Sequence, residues 1–407
     1  MHDHKHQHQH KDPFVPAEAT IQEARPAFAK QPALGADAFF CPGGLRVRKE
    51  FRDMTWEEWT RYLAAVKRMY EPDPVTGKSK VDSFTRIHLD NADIAHNTAH
   101  FLPWHRWFTF LYEEELRKYD PDVTIPYWDW TFDAQAPLKS PLFRPEYLGL
   151  KTGRKGDCDW IVSYPRRHCV VRTYTPKSVG TFYGRRTIDR LISDKRMSWS
   201  EFAEMFETSP HGIVHFKIGG EGGDLADMAS PNDPLFFLHH SMVDYVWTMR
   251  QEFTGKSGEV GGRHRGRRAG VKDVLKPFKI TVEDTFNYKQ RMCYTYQPFS
   301  GWMTRAAPAA QRQEFGWFGQ VMANVGKVLA GLTGQQQPAK HTLPDPLDKQ
   351  WIDMHGWSPE WIKGIEARLQ ALESMPLEGT ASSANKTKLF LYNFLPIVCS
   401  LILLIAF

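Results

Sequence analysis

Two stretches carry the fold: His96–Glu113 reads HNTAHFLPWHRWFTFLYE, and Asp233–Asp244 reads DPLFFLHHSMVD. In and just beyond the first, Trp104, Trp107, Phe108, Leu111, Tyr112 and Leu116 recur at helical spacing, so one face of a helix is apolar. That helix is expected to begin at Pro103, whose fixed φ suits the first helical position, and to end before Asp120-Pro121. The second stretch opens the densest apolar helix candidate, Pro234 to Phe253. Both place histidines in apolar surroundings: His96, His100 and His105 in one, His239 and His240 in the other. His96 and His105 are about two and a half turns apart, so they cannot share a face of one continuous helix, and Pro103 is read as the break between them. His96 and His100 also have helical spacing, and spacing alone does not choose between them.

Working outward, His88 joins the first group, and His211 and His215 join the second. Two clusters of at least three imidazoles suggest two metal ions. Neither cluster contains cysteine or an H-E-x-x-H pattern, so zinc protease chemistry lacks its general base, and imidazole-only ligation points to copper ahead of zinc, iron or nickel. His211 and His215, four apart, can share one ion from one helix face; two hydrogen-bonded histidines at a helix end are the plainer alternative. Asp244, four after His240, either orients an imidazole or a neighbouring cation or belongs to a buried ion pair.

The remaining composition is that of a soluble globular protein. Of 407 residues, 42% are hydrophobic and 24% charged, which excludes disorder and collagen-like repetition. A formal net charge of +5, with no basic stripe interleaved with stacking aromatics, argues against a nucleic-acid partner. Five of the 17 histidines alternate through His2 to His10, a tract that is either a low-specificity metal binder or a tag. The five cysteines lack C-x-x-C spacing; with Cys399 set aside, Cys158 with Cys169 and Cys41 with Cys293 are the expected disulfides.

Residues 1–40 read as a disordered lead-in. Thr55 and Glu58 form a capping box for a helix to Tyr70 whose core stripe is Trp56, Trp59, Tyr62, Leu63, Val66 and Met69. Ala134 to Arg196 reads as a long loop region with small strands, and Ser198 with Glu201 caps a short helix expected to stop before Pro210. Gly261 to Gly270 reads as an exposed basic loop, and Phe315–Leu332 and Trp357–Met375 as helices. The uncharged segment Leu389–Phe407, behind a small-residue stretch and a polar spacer, reads as a glycolipid-anchor signal, with a tail anchor in the membrane as the alternative. The expected location is therefore extracellular or cell-surface.

His96–Glu113 and Asp233–Asp244 resemble the two copper signatures of the tyrosinase, catechol oxidase and haemocyanin superfamily. Ile125–Trp130 (IPYWDW) and the Y-x-Y of Tyr294–Tyr296 extend the resemblance over about residues 41–300. It implies a mainly α fold: an antiparallel four-helix bundle holding a dicopper centre, with long loops and a few short strands. It implies two copper ions, the first on His88, His96 and His105, the second on His211, His215 and His240. His239 and His100 then become neighbours. Glu207 matches the family's water-holding glutamate, and Met228 lies near the gate over the second copper. Ile94 stands where many members carry a cysteine crosslinked to histidine, and Gly212 where an asparagine often accompanies phenol hydroxylation.

The implied activity is oxidation of o-diphenols to o-quinones by O2, with hydroxylation of monophenols as a second activity; Glu207 would supply the general base. Phenols and O2 are the implied partners. The alternatives are a haemocyanin-like O2 binder and a non-catalytic surface protein. The expected organisation is a lead-in (1–40), a dicopper core (41–300), a helical C-terminal region that could cap the site (301–385) and an apolar tail (386–407).

Overall fold

The computed structural model describes residues 41, 43–149, 158–264, 266–304 and 342–374. The histidine tract, the helix expected at Phe315–Leu332 and the apolar tail lie outside these residues. No helix among the described residues is long and apolar enough to cross a membrane.

Helix α1 (Trp56–Tyr70) opens on the expected capping box: the Glu58 amide donates to Thr55 Oγ1 at 3.1 Å, and the Thr55 amide donates to Glu58 Oε2 at 2.8 Å. Trp59, Tyr62, Val66 and Met69 are buried, but Trp56, at the first helical position before the helix meets the core, is 57% exposed. Helix α2 (Lys80–Asp90) has its own capping box from Ser79 and Asp82. The other Asp82 oxygen accepts the amides of Ser163 and Tyr164, tying a distant loop to the start of α2.

Helix α3 (Phe101–Tyr119) begins two residues earlier than Pro103 predicts. Proline is tolerated there because amides of the first turn have no intrahelical acceptor to lose. The break after His96 lies instead at Asn97, which adopts the left-handed φ of 56° that asparagine tolerates. Every residue from Phe101 to Glu113 is buried, so α3 is a central helix enclosed on all sides rather than an amphipathic one.

The loop expected over Ala134–Arg196 contains a helix, Arg185–Ser193, which packs Ile188, Leu191 and Ile192 inward. Its three arginines obscure that stripe in the sequence. Helix α4 (Trp199–Phe206) does not end before Pro210; it runs through a π turn, Glu207–His211, into α5 (Gly212–Gly219). The widened turn accommodates a residue without an amide hydrogen, and such turns occur frequently at functional sites. Helix α6 (Leu235–Thr254) ends at Gly255, whose φ of 70° is a left-handed cap. Within Gly261–Gly270, Arg263–His264 pairs with Arg267–Arg268, and His264 is buried rather than exposed.

Helices α2, α3, α5 and α6 form the bundle that holds the histidines. Strand β1 (Arg46–Arg48) runs parallel to β2 (Tyr294–Tyr296). The Cys41–Cys293 disulfide lies beside this pair, and Cys158–Cys169 closes the short loop. A buried ionic network locks the ends to the bundle. Arg48 lies 2.8 Å from Glu113 and 3.5 Å from Asp244, its guanidinium over the Tyr294 ring. Asp244 also accepts hydrogen bonds from Arg106 Nε and from the hydroxyls of Tyr294 and Tyr296.

The chain divides into two compact units. The first contains the residues through Phe299 together with 342–373, where α7 (Lys349–Met354) and α8 (Pro359–Ser374) place Trp351, Ile362, Ile365 and Leu369 in its core. The described part of the second includes the short helix Gly301–Thr304.

Candidate metal centre

The bundle gathers His88 from α2, His96 from the turn after it and His105 from α3 into one buried group. The π turn and α5 supply His211 and His215, and α6 supplies His239 and His240, to a second. Within each group one ring nitrogen from each histidine lies within 4.8 Å of those of the others. The groups meet where His105 stacks on His240, ring centroids 4.5 Å apart.

Backbone carbonyls set the tautomers. Nδ1 of His88 donates to Met228 O at 2.7 Å, His105 to Phe101 O at 2.9 Å, His211 to Glu207 O at 2.8 Å and His215 to Leu225 O at 2.8 Å. Each Nε2 is thereby left as a bare lone pair. His88 Nε2 then faces His105 Nε2 at 3.4 Å and His96 Nε2 at 3.0 Å. Protonation does not relieve that repulsion, because burial holds the His88 imidazole down to about 4 and His96 and His105 well below their usual range, with neighbouring imidazoles acting in the same direction. In the second group His211 Nε2, His240 Nδ1 and both ring nitrogens of His239 are buried with no hydrogen-bond partner. Cations held by neutral imidazole fit both arrangements.

Residues 78–154 and 153–252 match the model of the common central domain of tyrosinase. The chain is 28% identical over 273 residues to a tyrosinase from Streptomyces antibioticus, an overlap of 58% of this chain and 94% of that protein. It is 31% identical over 245 residues to a tyrosinase-like protein of Diaporthe leptostromiformis, covering 51% of this chain and 63% of the relative. Among solved structures, a polyphenol oxidase variant from Thermothelomyces thermophila shares the fold with a TM-score of 0.53 at 21% identity, over 69% of this chain and 96% of that one. The chain belongs to the type-3 copper tyrosinase family.

The cofactor of the tyrosinase family is a copper pair, and the two imidazole groups offer it the neutral nitrogen donors it needs. Around them the structure rearranges several expected roles. His239, read from the signature as a neighbour, has its ring inside the second group, stacked on His211 at 5.2 Å. Asp244 makes no contact with His240 Nδ1, which is unpartnered; its carboxylate is the centre of the arginine and tyrosine network. Met228 supports the first group through its carbonyl, which accepts from His88 Nδ1. His100 lies apart, stacked on His264 at 3.8 Å and paired with Asp273.

Glu207 touches both groups. Its carbonyl holds His211, while Oε1 accepts the Asn97 amide at 2.9 Å and lies 3.2 Å from His96 Nδ1. Burial pushes its carboxyl up to about 8.

Two residues that the sequence left without a role, Trp351 and His355, cover the site. Trp351 lies nearly parallel to His215 at 5.8 Å, and His355 meets the edge of His96 at 6.0 Å, its carbonyl accepting a hydrogen bond from Asn97 Nδ2. No local pattern announces this contact, because it joins positions more than a hundred residues apart. The Trp351 indole also explains Gly212: a Cβ there would lie 2.8 Å from Trp351 Nε1. Gly212→Asn is therefore expected to push α7 off the site and lower stability by about 1–3 kcal/mol, the usual range for overpacking, read from the melting curve and from altered tryptophan fluorescence.

The depressed imidazole pKa values also fix a pH dependence. Below the unfolded histidine value of roughly 6.5 the unfolded chain takes up protons that the folded chain refuses until about 4 at His88 and about 3 at His215. The metal-free protein should lose stability steadily as pH falls through that window. Thermal melts from pH 7 to 4 will show it, and copper, binding only the folded site, should raise the melting temperature at each pH where it stays bound.

Proposed function

We propose that this chain oxidises o-diphenols to o-quinones with O2, with His88, His96 and His105 holding one copper and His211, His215 and His240 the other. The observation that carries the reading is the pair of buried imidazole groups meeting at the His105–His240 stack, the Nδ1 of four of their histidines donating to backbone carbonyls. Bound copper would supply electron acceptance and O2 reduction. The protein's part is to keep the Nε2 lone pairs bare, to exclude water with Phe101 and Phe236 against the histidines, and to receive a proton at Glu207. The Glu207 carboxyl makes no hydrogen bond beyond Asn97 and His96, so in its ionised form its second oxygen is the acceptor for a phenolic proton, directly or through a water. Residues 41–300 with the returning segment 342–373 form the catalytic core, and the two disulfides fit a secreted protein.

The histidines of both groups are buried, with Trp351 against His215 and His355 against His96, and on this reading these two residues move aside for substrate to enter. Trp351→Ala should raise kcat/KM for small catechols, by roughly tenfold if nine chains in ten are closed at equilibrium. The direct test of activity is O2 uptake by the copper-loaded chain with 4-methylcatechol and with 4-methylphenol. Catechol oxidation faster than phenol hydroxylation is expected, given Gly212. Reversible O2 binding without catechol turnover would replace the oxidase reading with O2 carriage.

A further inference from the structure

The aromatic rings of the C-terminal segment form a continuous line from solvent to the imidazole groups. Trp361, 36% exposed on α8, lies 5.8 Å from Trp357. Trp357 stacks on His355 at 4.3 Å and 18°, and His355 contacts Trp351 at 4.4 Å. The line then divides, Trp351 reaching His215 and His355 reaching His96, one histidine of each group. Indole is among the most easily oxidised side chains, and electrons pass readily between rings in van der Waals contact. Hydrophobic burial alone does not account for a tryptophan at the wet end of such a line.

We propose that Trp361, Trp357, His355 and Trp351 form an electron relay, and that Trp361 is a second oxidation site, for phenols too bulky to enter the buried centre. The inference rests on the copper-oxidase reading. Trp361 gives one electron inward along the rings and its indole proton to water. The neutral indolyl radical then takes one electron and one proton from the O–H of a phenol at the surface, which restores Trp361 and leaves a phenoxyl radical. O2 reduced at the copper pair is the oxidant, and the electrons and protons drawn from successive phenols end in water.

Trp56 provides an internal control: it is more exposed than Trp361, but its ring contact is with Tyr147, which leads to Trp59 and Phe51. The full chain is loaded anaerobically with Cu(I), then exposed to O2 and a nitroso spin trap without phenol, and its peptides are mapped for the adduct; 4-methylcatechol turnover is measured on the same preparation. The relay predicts an adduct at Trp361 in preference to Trp56, absent without copper and lost in Trp357→Phe, although that variant keeps its copper and its catechol turnover. Oxidation of a dextran-linked phenol should be lost in Trp357→Phe and Trp361→Phe alike. An adduct that forms equally at Trp56, persists in Trp357→Phe or needs no copper overturns the relay. Catechol turnover without any Trp361 adduct overturns the relay alone, whereas absence of both overturns the oxidase reading with it.

Discussion

His240→Ala should reduce copper from two ions per chain to about one and cut catechol-dependent O2 uptake by more than about a hundredfold, the upper range for losing a partner that merely supports a ligand. The geometry makes the loss severe. His240 Nε2 lies 3.1 Å from His215 Nε2, and its ring stacks on both His105 and Phe236, so it belongs to the second group and forms the seam with the first. His239 is the necessary comparison, since its nitrogens lie in the same group. His239→Phe preserves the stack on His211 and should keep both coppers and most of the activity. Metal analysis of the two purified variants decides the assignment; copper loss in His239→Phe with retention in His240→Ala would exchange their roles.

Asp244→Ala is expected to destabilise the fold by about 3–5 kcal/mol, the range for stranding a buried charge, and to lower the melting temperature by roughly 10 °C in a domain of this size. Its removal leaves Arg106 without its carboxylate and the Tyr294 and Tyr296 hydroxyls without their acceptor, in the region that joins β1, α3, α6 and β2. Because the carboxylate makes no hydrogen bond to a clustered histidine, the fraction that folds should still bind two coppers. Copper loss without a change in melting temperature would instead make Asp244 a support for the metal site.

The contrast between His240 and Asp244 shows what each level of description can reach. Both stand in DPLFFLHHSMVD, and their spacing permits contact between them. Spacing fixes only that the two share a helix face; the arginines that claim Asp244 come from β1 and α3, far away in sequence. Pro210 and Pro103 make the same point about helices. Each reads locally as a boundary, and each is absorbed, one by a π turn and the other by a first turn whose amides need no partner. Trp351 and His355 lie outside both signatures, so nothing in their local sequence connects them with His215 and His96.

By itself the sequence determined the chemistry. Imidazoles without thiolates, grouped on apolar helices, point to copper, and the resemblance of the two signatures implies that it is a pair. These features are local, set by residue type and by spacing of a few positions. Tertiary structure alone decided which side chains surround that chemistry: the carbonyls that fix each Nδ1, the carboxylate that leaves the site for the arginine network, and the indole that occupies the space over Gly212. These depend on long-range packing, in which a buried polar or aromatic group takes whichever partner the folded chain brings within reach, and no spacing rule encodes that choice.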